Sequence, residues 1–315
     1  MGPIAPPRPP GPEPALLPPA ELLALGGLDL VSRLVVDGYL SGRHRSPNRG
    51  GSLEFAEHRP YVRGDDLRRV DWKVYGRTDR FFIRQSDAET NLRATLAIDA
   101  SASMGFSAGG RPSKWAYGRA VAAALTHLLL AQHDGVGLAV FDAELKTFLP
   151  PRATQAQRSR ILDALEGLEP AGETEPADPF RQLAERLPRR GLLVLISDLL
   201  GPPESFLPGL RYFRHRKHEV VVFHILDPVE RTLEGLGETG ALADVETGQV
   251  VRTAPAALAR GYREELAALE ATYRAQAHDQ GFDFVSLTTD EPLGPALARY
   301  LHGRRVTALA SSVTR

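Results

Sequence analysis

Four apolar runs limit what this chain can become more than any other feature: RATLAIDA from Arg93, GVGLAVFD from Gly135, GLLVLISD from Gly191 and EVVVFHILD from Glu219. None alternates cleanly between apolar and polar residues, so each reads as a strand buried on both faces. Amphipathic helices lie between them: SKWAYGRAVAAALTHLLLAQ with Ser113 as its N-cap, TQAQRSRILDALEGL, DPFRQLAERL and ESFLPGLRYFRHR. Strands of this length separated by helices predict an α/β fold, a doubly wound and mainly parallel sheet with helices on both faces. A hairpin is expected around Glu246 to Gly248, and then a long helix from Pro255, a further strand FDFVSLT and a helix PLGPALARYLH complete the unit.

At 315 residues the chain has room for that unit and a smaller one. Residues 1–19 hold nine prolines, too many for helix or sheet, and read as a disordered or polyproline-like tail. A helix interrupted near Gly26 and Gly27 follows and is expected to pack on the body. From 43 to 84 eleven Lys or Arg face six Asp or Glu, with aromatic residues such as Tyr61, Trp72, Tyr75 and Phe81 interleaved. Gly and turn signals replace helical periodicity there, which predicts a small β-rich subdomain of short strands and turns. The expected organisation is a tail over 1–19, the N-terminal helix and Arg-rich subdomain over 20–90, the α/β domain with its hairpin and helix elaboration over 91–305, and a flexible tail over 306–315.

In an open parallel sheet, ligands bind beyond the carboxyl ends of the strands, where the strand order reverses. Oxygen donors cluster at three such places. The first run leads into Asp99, Ser101 and Ser103, the loop AGETEP holds Thr174 ahead of a helix, and LLVLISD ends on Asp198. Asp and Ser in alternation also terminate strands by bonding their own backbone, so the first stretch has a plain turn reading. Its position, with a Thr loop and a second strand-end Asp in order behind it, favours a site. Oxygen donors without nitrogen or sulfur suit Mg²⁺, or Mn²⁺ or Ca²⁺, and argue against zinc. Such a centre would keep some waters and leave one position open to a partner's carboxylate.

Asp99-Ala100-Ser101-Ala102-Ser103, Thr174 and Asp198 together resemble the metal-ion-dependent adhesion site (MIDAS) of a von Willebrand factor type A domain. The resemblance implies that the Ser and Thr hydroxyls contact the metal, that the Asp residues act directly or through water, and that the sheet carries one antiparallel edge strand. Glu173 beside Thr174 is an extra acid whose part in the site stays open. The flanks are more specific. The stretch GRHRSPNRGGSLEFAEHRPYVRGDDLRRVDWKVYGRTDRFFIRQSDAETN ahead of the first strand, with DPVE over 227–230, DVETG and GYREEL, resembles the bacterial domain of unknown function family 58 over roughly residues 20 to 305. This implies an adaptor or partner of a MoxR-type AAA+ ATPase in a chaperone-like or complex-assembly system, with an unknown client that offers an acidic side chain.

Other readings are weaker. The absence of Cys excludes disulfides, thiolate zinc sites, iron–sulfur clusters and a Cys nucleophile. A net charge of -1 gives no overall attraction to nucleic acid or anionic membranes, so nucleic-acid binding through 43–84 is a minor alternative to contact with an acidic partner protein. No stretch approaches the roughly 18 apolar residues of a membrane span, and the start lacks a signal-peptide pattern, so a cytoplasmic protein is expected. GFSAGGRPSK has phosphate-loop glycine spacing, but Arg111 and Pro112 stand where Lys and a hydroxyl are required. Asp65, Asp66 and Asp71 read as a helix cap and ion-pair partners at an interface rather than as a second metal cluster. A metal-dependent hydrolase using Asp99 and Asp198 is the alternative function; no general base is evident and Ser101 lacks an activating partner, so no catalytic residue is assigned.

Overall fold

The structure, a computed structural model, describes residues 17–44, 57–61, 72–85, 92–234, 240–243, 250–253 and 255–298. The start over 1–16, Asp65, Asp66 and Asp71, the turn at 246–248 and the tail over 306–315 lie outside the described residues. The chain opens with α1 (Pro19–Ala24) and α2 (Leu28–His44), parted at Gly26 and Gly27. Leu22, Leu28, Val31, Val35 and Val36 from these helices are buried in one cluster with the main sheet. Two compact units divide at Ser41/Gly42 and again at Asn91/Leu92. Both helices thus fall mostly with the sheet, whereas the sequence grouped them with the Arg-rich segment.

In the smaller unit β1 (Glu57–Pro60) pairs antiparallel with β2 (Phe82–Gln85), Pro60 standing opposite Phe82. Between them lies α3 (Trp72–Thr78), a helix where the sequence predicts only strands and turns. The Tyr75 ring stacks on Phe81 with centroids 4.4 Å apart. At least these two aromatics of the basic block face each other.

The main unit runs β3 (Arg93–Asp99), α4 (Lys114–Ala131), β4 (Gly135–Phe141), β5 (Leu145–Arg152), α5 (Gln155–Glu166), α6 (Ala177–Arg186), β6 (Gly191–Ser197), α7 (Pro203–His215), β7 (His218–Leu226), α8 (Pro228–Thr232), β8 (Gly240–Ala243), β9 (Val250–Thr253), α9 (Pro255–Gln280) and β10 (Asp283–Thr288). Six strands form one sheet in the order β10-β7-β6-β3-β4-β5. All pairings are parallel except β4 with β5, so the sheet has one antiparallel edge. β8 and β9 pair antiparallel. This is the doubly wound, mainly parallel α/β sheet expected from the sequence, with the one antiparallel edge strand that the type A resemblance implies. The edge strand β5 is the element the sequence conceals: it carries Pro150 and Pro151, tolerable only where a ladder bond is not required, and it is mostly half-exposed.

Alternation inside the apolar runs explains why they lack a polar face. Leu96 and Ile98 of β3, Val194 and Ile196 of β6, and Phe223 and Ile225 of β7 point to one core, under α4 and α5. Ala97, Leu195 and Val222 point to the other, where Phe180, Phe206, Phe213 and Tyr273 from α6, α7 and α9 fill the space. Both faces are covered, so both residue sets must be apolar. α4 is buried along most of its circumference, as a helix between two layers must be, and Gly118 lets it approach: a Cβ there would meet Ile196 Cγ2 at 3.1 Å. The predicted cap is present, with Ser113 Oγ accepting from the amide of Ala116 at 3.1 Å.

From β3 the chain winds outward through β4 to β5, then crosses back to β6 and winds the other way through β7 to β10. The order reverses between β3 and β6. Their carboxyl ends, at Asp99 and Asp198, therefore border the crevice that this topology opens.

Candidate metal centre

Four neighbouring strands run parallel and each reaches an Asp at its carboxyl end: Asp227 after β7, Asp198 after β6, Asp99 closing β3 and Asp142 after β4. All four are buried, between 0% and 7% exposed. A carboxylate withdrawn from water needs a compensating charge or a full set of donors. Three of the four have the charge. Asp227 takes Arg111 Nη2 at 3.0 Å, Asp198 takes Lys114 Nζ at 2.6 Å, and Asp142 is paired with Lys146. Asp99 has donors only: the Ser101 amide reaches Oδ1 at 3.0 Å and the Ser197 hydroxyl reaches Oδ2 at 2.7 Å. No cationic side chain pairs with it among the described residues.

The backbone after Asp99 turns at once into a short 3₁₀ segment over Ala102–Gly105, which folds both serine hydroxyls back beside the strand end. Ser101 Oγ and Ser103 Oγ are 3.1 Å apart and fully buried. The Thr174 loop docks on this turn through two backbone bonds, Ala171 amide to Ala100 carbonyl and Ala102 amide to Gly172 carbonyl, each 2.8 Å. Gly172 adopts φ +82°, and a Cβ there would lie 3.0 Å from Asp142 Oδ2, so only glycine lets the loop sit this close. Thr174 follows two residues later and is half-buried, while Glu173 is exposed. Asp198 lies at the neighbouring strand end, joined to Asp99 through Ser197, whose oxygen in turn accepts from the Leu199 amide at 2.9 Å.

Sequence reasoning missed three participants. Ser197 holds Asp99, Lys114 holds Asp198, and Glu230 holds Lys114, its Oε1 2.6 Å from Nζ. The Lys114 side chain is 0% exposed, at the first position of α4. The DPVE stretch also acquires a structural part. Asp227 caps α8 through the Val229 amide at 2.8 Å, and Glu230 returns Oε2 to the Asp227 amide at 2.9 Å, a reciprocal capping box. One signal for Lys114 was available: a cation in the first turn of a helix, with no acid beside it, opposes the helix dipole and must be held by something distant in sequence.

Charge follows geometry. Burial, and then the neighbouring Asp198, push the Asp99 carboxyl up to about 7, against the pull of its bonds from Ser197 and Ser101. Burial draws the Lys114 ammonium down, but Asp198 and Glu230 outweigh it and hold the amine above its ordinary value. Among the described residues no group of three or more His, Asp or Glu side chains is placed to hold a metal, so any cation here must rely on hydroxyls as well. The Asp99 turn fits that demand. It offers a buried acid paired with no cation among the described residues and two adjoining hydroxyls, oxygen donors suited to a hard divalent ion.

A family model described as "Protein of unknown function DUF58" matches residues 57–276. The chain belongs to the DUF58 family. A relative from Mycobacterium tuberculosis, "Uncharacterized protein Rv1480", is 32% identical over 301 residues, spanning 93% of this chain and 92% of its own length. Solved structures similar to this DUF58 chain include BatB from Bacteroides thetaiotaomicron, at 16% identity and TM-score 0.44 over 70% of this chain and 99% of that one. Another is the SpRpn10 VWA domain, at 13% identity and TM-score 0.38 over 66% and 95%. Among the described residues of this DUF58 chain no helix is long and apolar enough to cross a membrane.

Proposed function

We propose that this protein is a divalent-cation-dependent protein-interaction module whose metal centre is built on Asp99, Ser101, Ser103, Thr174 and Asp198. The observation that supports it most is the break in the row of strand-end acids: Asp227, Asp198 and Asp142 each have a built-in cation, and Asp99 does not. Mg²⁺, or Mn²⁺ or Ca²⁺ in its place, would supply the missing charge and an open coordination position for an acidic side chain of a client. Asp99 would contribute the anionic ligand, held in aim by Ser197 and the Ser101 amide, and the paired hydroxyls of Ser101 and Ser103 would add neutral ones. Thr174 arrives on a loop already docked to the same turn. The role proposed for it, an adaptor that presents the client to a MoxR-type AAA+ ATPase in a cytoplasmic setting, is the one implied by the resemblance of the Arg-rich flank and the DPVE, DVETG and GYREEL stretches.

The test is a pull-down with a MoxR-type ATPase and its clients, wild type against Asp99→Ala, each with Mg²⁺ and with chelator. Capture is expected only for wild type in Mg²⁺. Equal capture in all four conditions would refute the metal-bridge reading and leave the fold untouched.

A further inference from the structure

We propose that Lys114 is an internal counter-cation that competes with a divalent ion for Asp198, and that Glu230 is the second seat to which its ammonium withdraws. The inference rests on the metal reading above and adds a regulating residue to the same site.

An ammonium at the start of a helix, with no exposed surface, is in the least favourable place a folded protein offers. Water is excluded, and the helix dipole repels it. It persists because two carboxylates hold it at once, Asp198 Oδ2 and Glu230 Oε1, both at 2.6 Å. The two acids differ in how firmly they are placed and in what else they serve. Glu230 is tied at its other oxygen to the Asp227 amide, and Asp227 is pinned by Arg111, Val229 and Thr289, so Glu230 cannot follow the ammonium. Asp198 has a weaker second tie, its Oδ1 accepting from the Leu200 amide at 3.3 Å, and it borders Asp99 through Ser197.

Because Nζ already bonds both acids, a small shift of the flexible lysine stem toward Glu230 releases Asp198 Oδ2 without leaving the charge bare. Lys114 therefore sets how much of Asp198 is available to a cation at Asp99. It also sets a repulsion that any such cation must overcome. This gives DPVE a functional part beyond its capping box: the strength of the Glu230 seat tunes the centre from the next strand end.

The experiment is calorimetric titration of the full chain with MgCl₂ and MnCl₂ at pH 8, for wild type, Lys114→Met, Glu230→Gln and Asp99→Asn, each checked for folding by circular dichroism. Lys114→Met removes the repulsion and the competitor, and should tighten binding by about tenfold or more. Glu230→Gln leaves Asp198 as the only anion for Lys114 and should weaken binding several-fold. A purely structural ion pair would weaken both variants, so the opposite signs are diagnostic. Unchanged or weaker binding in folded Lys114→Met, or tighter binding in Glu230→Gln, overturns the inference while leaving the metal reading in place. Should Lys114→Met fail to fold, folded Lys114→Gln, which also removes the charge, is read in its place against the same expectation of tighter binding. Absence of binding in wild type and in every variant refutes the metal reading and this inference together, whereas binding in Lys114→Met alone supports both.

Discussion

The strand ends at Asp99 and Asp198 lie side by side on the same sheet, equally buried, and have opposite electrostatic states. Asp198 is neutralised from within by Lys114, whereas among the described residues Asp99 meets hydrogen-bond donors and the neighbouring Asp198 but no cation. Burial acts on both in the same way; what differs is whether the fold has supplied a cation. A carboxylate with its partner built in is already compensated, and removing either member leaves a bare charge. A carboxylate without one would, on the proposed reading, take its partner from outside. The same end of the sheet thus carries one acid that a bound cation would have to share with Lys114 and one for which, on the proposed reading, the cation itself is the partner.

Substitutions at the two positions should have opposite signs. Asp198→Ala leaves the buried ammonium of Lys114 with Glu230 alone and should destabilise the protein by about 3–5 kcal/mol in urea unfolding. Comparable stability of Asp198→Ala and wild type would break the contrast. Asp99→Asn, unfolded in chelator at pH 8, should be no less stable than wild type and more stable by on the order of a few kcal/mol. The amide oxygen can still accept from Ser101, and the repulsion from Asp198 is gone.

The pH dependence sharpens this. Since the folded Asp99 carboxyl is raised from 3.8 to about 7, the folded state holds a proton that the unfolded chain has already lost. Its contribution is therefore fully present below about pH 4 and disappears as pH rises through about 7. Metal-free wild type should lose stability over that interval and Asp99→Asn should not, as denaturant midpoints at several pH values would show. At the mild end, Lys146→Met should cost less than Asp198→Ala in the same assay, because the Lys146 end of the Asp142 pair is partly exposed.

What the sequence disclosed follows the same division between local and distant. Strands β3, β4, β6 and β7 were legible because burial on both faces writes a continuous apolar run, and Asp99, Ser101 and Ser103 were legible because they share five residues. β5 was not, since an edge strand needs neither a full apolar face nor every ladder bond, and Pro150 and Pro151 disguise it further. Lys114 binds acids 84 and 116 positions away, so no spacing rule finds it. Ser197 stood beside Asp198 in plain view, but a single hydroxyl at a strand end carries no pattern until the neighbouring strand is known to be β3.

The measurement that bears most directly on Asp99 as the receptive acid is anomalous scattering from crystals of the full chain grown with MnCl₂. The expected result is one manganese peak within about 2.2 Å of an Asp99, Ser101 or Ser103 oxygen, absent in Asp99→Asn, with Lys114 moved off Asp198 toward Glu230. A difference map with no peak at that turn, or an equal peak in Asp99→Asn, would contradict it.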